Sequence, residues 1–268
     1  MRNSMMKILG IIPARYASTR FPGKPLTDID GKTMIQRVYE QAKKSQYLDR
    51  VVVATDDTRI YTHVQGFGGE AMMTSSEHLT GTDRCAEVVN QINVDNIANA
   101  DNLIDKNGKK RINLYNFVVN IQGDEPYIDP KQIDKIIDIL KRNIFPIVTL
   151  AKSLDTLEDI QNPNIVKVVF DKESGEVVLF SRSAIPYLRD IPLEKWADSR
   201  EIFKHIGLYG FQTSVLLKIS QLKPHRLEKL ESLEQLRWLG NGYKMGISET
   251  DIETISIDTP NDINKIIF

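Results

Sequence analysis

Ile8-Leu9-Gly10-Ile11-Ile12-Pro13-Ala14-Arg15-Tyr16-Ala17-Ser18-Thr19-Arg20-Phe21-Pro22-Gly23-Lys24-Pro25-Leu26 sets an unbroken apolar run directly ahead of a loop that carries three cations. A run such as Ile8 to Ile12, without polar alternation, is what a strand buried on both faces of a parallel sheet requires. Pro13 removes a ladder N–H where that strand ends, and in a doubly wound α/β sheet the carboxyl end of a strand is the end that faces ligand. Arg15, Arg20 and Lys24 then crowd a loop whose small residues let backbone N–H groups approach an anion. Because Pro25 follows Gly23-Lys24, the spacing Gly-x4-Gly-Lys-Ser/Thr is absent and a P-loop is disfavoured. On charge alone, a polyphosphate cradle and a solvated basic loop both remain open.

The same alternation continues outward from this strand. Helix patterns at Thr33–Ser45, from Thr58 and at Asp83–Gln91 are interleaved with strands at Arg50–Ala54 and Gly69–Met73, which predicts βαβ units. Phe117–Gln122 returns as an apolar strand ending at Gly123-Asp124-Glu125-Pro126, and Pro130 opens a helix carrying Ile133, Ile136, Ile137 and Leu140. After a strand at Pro146–Ala151 the texture changes. Val166–Phe170 and Val177–Phe180 flank Asp171-Lys172-Glu173-Ser174-Gly175-Glu176, a hairpin signature. Leu230, Leu233, Leu236 and Leu239 read as a stripe on one helix, Thr254–Ile257 as a last strand and Asn261–Ile267 as a closing helix. Asn93–Asn113, rich in Asn, Asp, Lys and Gly, reads as a surface excursion. The pattern predicts an α/β fold, a mostly parallel Rossmann-like sheet flanked by helices. It forms a single domain over residues 1–268 with a smaller mixed or antiparallel lobe at about 152–250.

A chain of 268 residues can bury a sizeable core. Its 35 Lys and Arg against 36 Asp and Glu leave no overall basic bias, so no nucleic-acid partner is expected and phosphate must be met by local clusters. Cys85 is the single cysteine; it excludes an intrachain disulfide, reads as core filler and fits a reducing, cytoplasmic location. Arg2 and Lys7 before an apolar run superficially resemble a signal peptide, but Ile8–Ile12 is too short for an export segment. Met5-Met6 mark Met1–Ser4 as a candidate extension. No segment approaches the roughly 18 apolar residues of a membrane span, so no membrane association is expected.

Further blocks follow in order: Val53-Ala54-Thr55-Asp56, Gly81-Thr82-Asp83-Arg84, Asn120-Ile121-Gln122-Gly123-Asp124-Glu125-Pro126, Phe180-Ser181-Arg182, His205-Ile206-Gly207-Leu208-Tyr209, Leu233-Glu234-Gln235-Leu236-Arg237 and Ile257-Asp258-Thr259-Pro260. With the opening loop they resemble, from end to end, the 3-deoxy-manno-octulosonate (KDO) cytidylyltransferases, or CMP-KDO synthetases. Gln-Gly-Asp-Glu-Pro and Glu-Gln-Leu-Arg are the most specific blocks, whereas Ala-Thr-Asp occurs in many nucleotidyltransferases. The resemblance implies a nucleotidyltransferase that moves CMP from CTP to KDO with release of pyrophosphate, for lipopolysaccharide precursor synthesis. It also implies Mg²⁺ as cofactor and a homodimer. The family pattern is shorter across 93–113, which departs from it locally.

Chemistry can be weighed block by block. Lys24 offers a point charge and Arg15 a fork, both suited to the charge on phosphoryl oxygens. The resemblance places both on the nucleotide phosphates, while Arg20 reads equally as a surface arginine. Thr82 and Asp83 stand where a helix cap explains them without ligand; the resemblance assigns the block, with Thr82 and Arg84, to the nucleotide-binding wall. Asp124, past the end of a buried strand, and Asp258, at another, could each cap the helix that follows, or supply two carboxylates to a metal. The resemblance assigns both to catalytic magnesium. Gln122, Arg182, His205, Tyr209 and Glu234 supply the cation, donors and acceptors that a hydroxyl-rich sugar acid needs, and the resemblance makes them its pocket. Packing explains His205 or Tyr209 singly, though four residues apart on a strand they share a face. Gln235 and Arg237 also match, but Leu233 and Leu236 explain their helix without them. The resemblance implies direct in-line attack of the sugar's anomeric hydroxyl on the α-phosphorus, with Lys24, Arg15, Asp124 and Asp258 as the expected catalytic residues, and the lack of a Ser-His-Asp or Cys-His nucleophile arrangement is consistent with it. The competing readings are a related enzyme using another acidic sugar, such as a sialic-acid-like one, or another nucleotide, and a non-catalytic nucleotide-sugar-binding protein on the same fold.

Overall fold

The structure, a computed structural model, describes residues 6–17, 21–98, 115–253 and 255–263. They fall into two compact units, the first drawn from residues 1–131, 212–220 and 255–268 and the second from residues 132–211 and 221–254.

In the first unit β1 (Ile8–Ala14) is followed by the two-residue strands β2 (Asp28–Ile29) and β3 (Lys32–Thr33), α1 (Met34–Ala42), β4 (Arg50–Thr55), α2 (Thr58–Gly66), β5 (Ala71–Met73), α3 (Gly81–Ala98) and β6 (Phe117–Asn120). β6, β1, β4 and β5 lie side by side in that order and pair in parallel. Ile8, Leu9, Ile11 and Ile12 are each at most 1% exposed, which is why β1 lacks alternation. Burial of each such side chain contributes roughly 1.5–3 kcal/mol. The helices are set by caps and spacing. Thr33 Oγ1 accepts from the Gln36 N–H at 3.4 Å ahead of α1, whose buried face is Met34, Ile35, Val38 and Ala42. Asp57 accepts from the Arg59 N–H at 2.9 Å at the start of α2, which buries Ile60 and Val64.

The register decides where the chain can open a site. β6 pairs with β1 only from Ile8↔Phe117 to Ile11↔Asn120, whereas β1 runs on to Ala14. Residues 121–124 therefore pass close to the end of β1, held by the Ile121 N–H to the Ile11 carbonyl at 2.8 Å. A Cβ on Gly123 would stand 2.8 Å from the Pro13 carbonyl oxygen, so only glycine allows this approach.

The second unit contains most of α4 (Pro130–Lys141), then β7 (Ile147–Ser153), α5 (Leu157–Gln161), β8 (Lys167–Phe170), β9 (Val177–Ser181), β10 (Phe203–Gln212), helices Arg226–Glu231 and Gln235–Gly240, and β11 (Met245–Glu249). β11 pairs with β7 in parallel, while the β7–β10, β10–β8 and β8–β9 pairs are antiparallel. The predicted hairpin is β8–β9, turned at Gly175 (φ 71°) with the Asp171 carboxylate accepting from the Ser174 N–H at 2.6 Å. The apolar face of α4, Ile133, Ile136, Ile137 and Leu140, is fully buried.

Four details depart from the sequence pattern. α3 continues to Ala98, so the predicted excursion at Asn93–Asn113 begins as helix; residues 99–114 lie outside the described residues, as do Met1–Ser4, Arg20 and the end of the predicted closing helix, which is described only as Pro260–Ile263. Residues 255–257 are not a strand: Ile257 is buried, but its N–H reaches the Asp124 carbonyl at 2.9 Å rather than a ladder. The last strand is β11, which carried no clear signal. The leucine stripe is broken at Ser232 (φ 51°, ψ 48°), leaving two short helices with Leu230 exposed and Leu233 and Leu236 buried.

Candidate active site

In the first unit a cavity of about 250 Å³ opens at the carboxyl ends of β1 and β6. Its walls come from Ala14 and Arg15 after β1, Lys24 and Pro25, His78 to Gly81 with Arg84, Gln122 to Asp124, and Asp258. Six of the predicted residues, Arg15, Lys24, Arg84, Gln122, Asp124 and Asp258, thus line one space.

Local structure explains how the cations are held. The Gly23 N–H donates to the Tyr16 carbonyl at 3.0 Å, closing the loop, and Gly23 takes φ 73° beside the Tyr16 ring, where a Cβ would lie 3.1 Å from the hydroxyl oxygen. Arg59 stacks on that ring at 3.3 Å from its centroid. A short 3₁₀ turn then starts at Lys24. Lys24 Nζ donates to Asp124 Oδ2 at 2.8 Å and to the Ile257 carbonyl at 2.7 Å, and lies 3.6 Å from Asp258 Oδ1. Arg15 is exposed on the wall of the cavity.

Both carboxylates therefore reach one cationic atom, which is the arrangement a divalent ion needs. Magnesium takes one or two protein carboxylates and completes its octahedron with phosphate oxygens and water. Asp124 and Asp258 fit that donor set, and among the described residues no group of three or more His, Cys, Asp or Glu forms a closed protein cage. The capping alternative for Asp124 is met elsewhere, since Asp129 accepts from the Lys131 N–H at 2.8 Å at the start of α4. Asp262 turns back onto the N–H groups of Asp258 and Thr259, at 3.1 and 2.8 Å, and fixes the turn that carries Asp258.

Thr80, not Thr82 or Asp83, caps α3: its Oγ1 accepts from the Asp83 N–H at 3.1 Å. Thr82 is 1% exposed within the helix and is not on the cavity wall. Arg84 is 4% exposed, donates to Thr74 Oγ1 and pairs with Asp56 Oδ2 at 3.4 Å, so its guanidinium is fixed as it meets the cavity. Sequence reading passed over His78. It lies in an irregular segment with no motif, and its Nε2 meets the Glu87 carboxylate of α3, which also accepts from the Ser75 N–H at 2.8 Å. Burial pushes the Glu87 carboxyl up, but the Ser75 and His78 contacts outweigh it and the group ends below its ordinary value.

Arg182, His205, Tyr209 and Glu234 lie in the second unit. On β10 the His205 and Tyr209 rings are 5.2 Å apart, and Phe180 closes the other side of His205 at 5.0 Å. Thr149 Oγ1 sits 2.9 Å from His205 Nε2. Although part of the residue's surface remains accessible, this enclosure desolvates the ring and pushes it down to about 3, so the imidazole is neutral. Burial, and then the charge of Glu234, hold the Tyr209 phenol well above its ordinary value. Glu234 is thus close enough to Tyr209 to act on it electrically, and it stands at the start of helix Gln235–Gly240. Arg182 sends three of its N–H donors to the carbonyls of Glu231 (2.6 Å), Pro163 (3.0 Å) and Ser232 (3.4 Å), holding the turn that leads to Glu234. Arg237 is buried and pairs with Glu228 at 2.8 Å, joining the two short helices.

The neutral His205 makes an acid-stability prediction. An unfolded imidazole takes a proton near pH 6.5 and the folded one only near 3, so this residue's contribution is full above pH 6.5 and is lost as pH falls toward 3, by at most about 1.4 kcal/mol per pH unit. His205→Gln should make the urea-unfolding free energy less steep between pH 6.5 and 4 by about one proton. Equal slopes for the two proteins would show that His205 is not held neutral.

The chain matches the family described as Cytidylyltransferase over residues 9–252. It is 49% identical to the 3-deoxy-manno-octulosonate cytidylyltransferase of Parabacteroides distasonis, over 97% of each chain, and 46% identical to that of Bacteroides thetaiotaomicron, over 96% of each. A solved structure of CMP:2-keto-3-deoxy-manno-octonic acid synthetase complexed with CTP superposes with a TM-score of 0.82 at 36% identity, covering 97% of this chain and 96% of that one. A Leptospira borgpetersenii cytidylyltransferase, 17% identical at a TM-score of 0.58, shares the fold. With the mostly parallel sheet, the cavity at its strand ends and this full-length similarity, the chain belongs to the 3-deoxy-manno-octulosonate cytidylyltransferase family of CTP-dependent nucleotidyltransferases.

Proposed function

We propose that this protein transfers CMP from CTP to the anomeric hydroxyl of KDO, giving CMP-KDO and pyrophosphate. The observation that carries the reading is the convergence of Arg15, Lys24, Asp124 and Asp258 on one cavity, in a chain whose relatives bear that activity in their names. Arg15 and Lys24 bind the triphosphate and stabilise charge that develops on its oxygens during displacement. Asp124 and Asp258 would hold magnesium, which when bound neutralises the phosphates and acidifies the attacking hydroxyl. Arg84, held by Asp56, belongs to the nucleotide wall, whereas Thr82 is buried in α3 and does not line the cavity.

To the sugar acid we assign Arg182, His205, Tyr209 and Glu234 of the second unit, while Gln122 stays with the cavity of the first. Neutral His205 can donate or accept a hydrogen bond but adds no charge, Glu234 accepts from hydroxyls, and the N–H donors that Arg182 does not spend on carbonyls can meet a carboxylate. Glu234→Ala should raise the KM for KDO about tenfold or more and leave CTP affinity unchanged, because a lost buried polar partner costs about 1–3 kcal/mol. Unchanged KDO kinetics with intact folding would remove Glu234 from the pocket. Among the described residues no helix is long and apolar enough to cross a membrane. A cytoplasmic homodimer that serves lipopolysaccharide precursor synthesis completes the proposal. Pyrophosphate release from CTP with KDO tests it: release with a sialic acid in place of KDO, or with UTP in place of CTP, would reassign the substrate, and no release with any of them would leave only a binding role.

A further inference from the structure

The Lys24 ammonium stands between the two carboxylates expected to bind metal. Its contacts with Asp124 Oδ2 (2.8 Å) and the Ile257 carbonyl (2.7 Å) use two of its three N–H donors, and Asp258 Oδ1 at 3.6 Å is within ion-pair range. The lysine side chain is 15% exposed against 26% and 44% for the two aspartates, so it is the most covered of the three. Magnesium would draw on the same two carboxylates. An ammonium held at hydrogen-bond distance from Asp124 opposes that, because the two cations share one carboxylate and repel at close range.

We propose that Lys24 plugs the metal position in the nucleotide-free protein, so that the divalent cation enters with the triphosphate and not ahead of it. The inference rests on the metal assignment made above. A triphosphate brings anionic oxygens that can take over the donors of Lys24, and the four-carbon stem allows the ammonium to follow them. The move exposes two carboxylates at the moment when phosphate oxygens and the accompanying ion are at hand. One lysine thereby serves first as a surrogate cation and then as a phosphate ligand. Gly23 at φ 73° and the Tyr16 carbonyl hold the backbone in place, so only the side chain needs to travel.

The test uses Mn²⁺ as probe, without nucleotide or sugar, and follows the electron paramagnetic resonance signal of the free ion. Lys24→Met keeps the stem and removes the charge; it should bind Mn²⁺ at least tenfold more tightly than the parent protein, and adding Asp124→Asn should abolish the gain. Lys24→Gln serves the same purpose if the Met variant does not fold. Equal Mn²⁺ affinity in parent and charge-free variants overturns the plug. A gain that survives Asp124→Asn also overturns it, since the ion would then bind elsewhere. Adding CTP to the parent should raise its Mn²⁺ affinity and Lys24→Met should narrow the difference. Because the titrations without nucleotide involve no turnover, their result stands apart from the pyrophosphate assay, whose failure would instead remove the proposed reaction.

Discussion

Lys24→Ala should lower turnover by about 10²–10³ at saturating CTP and KDO while the protein remains folded. This is the loss usually seen when one preorganised donor to a developing charge is removed from a site. The position supports so large a value. Lys24 lines the cavity, where two hydrogen bonds hold the ammonium beside Asp124 and Asp258 until a triphosphate takes over its donors. Stability should change far less. Asp124 and Asp258 keep 26% and 44% of their side-chain surface in water, where an ion pair contributes about 0–1 kcal/mol. Lys24→Arg should recover only part of the rate, since a planar fork cannot take the place of a compact ammonium. Rates of pyrophosphate release, measured beside thermal unfolding, separate the two effects. Full activity of Lys24→Ala at saturating substrate would exclude the residue from the phosphate cradle.

The sheet of the first unit was legible because β1 and β4 are buried on both faces and leave an unbroken apolar record. The turn residues around Gly23 and Gly123 were equally plain, each being required by a backbone approach within a few ångströms of its neighbour. β11 was hidden because Met245-Gly246-Ile247-Ser248-Glu249 is short, glycine-containing and outweighed by the cleaner alternation of Ile255 and Ile257. That alternation arose from one anchor, Ile257, packed with Ile29 and Met34, and not from a ladder. The leucines from 230 to 239 misled for a geometric reason. Steps of three residues turn a helix by about 300°, so four of them sweep across about half its circumference and cannot share one buried stripe. At the site, Asp124 and Asp258 were found through their motifs, but no sequence spacing shows two residues more than a hundred positions apart meeting at one lysine. His78 escaped for a different reason: it lies in an irregular segment with no motif, and its partner Glu87, nine residues on, is one carboxylate among many on helices.

Asp124→Asn and Asp258→Asn should each raise the half-saturating magnesium concentration by about tenfold or more. Each replaces an anionic oxygen by a neutral amide of the same shape, and changes to residues that merely orient metal ligands already cost about 10–100-fold in affinity or activity. Their positions make the effects interdependent. Lys24 Nζ lies 2.8 Å from one carboxylate and 3.6 Å from the other, so the two are close enough to serve a single ion. Once one ligand is gone, the ion is held chiefly by phosphate and water, and the second substitution has less left to remove. The double variant should therefore lose less than the product of the single losses, as expected for residues that act as a unit. Independent sites would instead give multiplicative losses. The asymmetry should also follow burial: Asp124, less exposed and hydrogen-bonded to Lys24, should cost more than Asp258. Magnesium titrations of turnover in the parent, both single variants and the double variant measure all three quantities, and unchanged titrations in both single variants would refute a shared metal position.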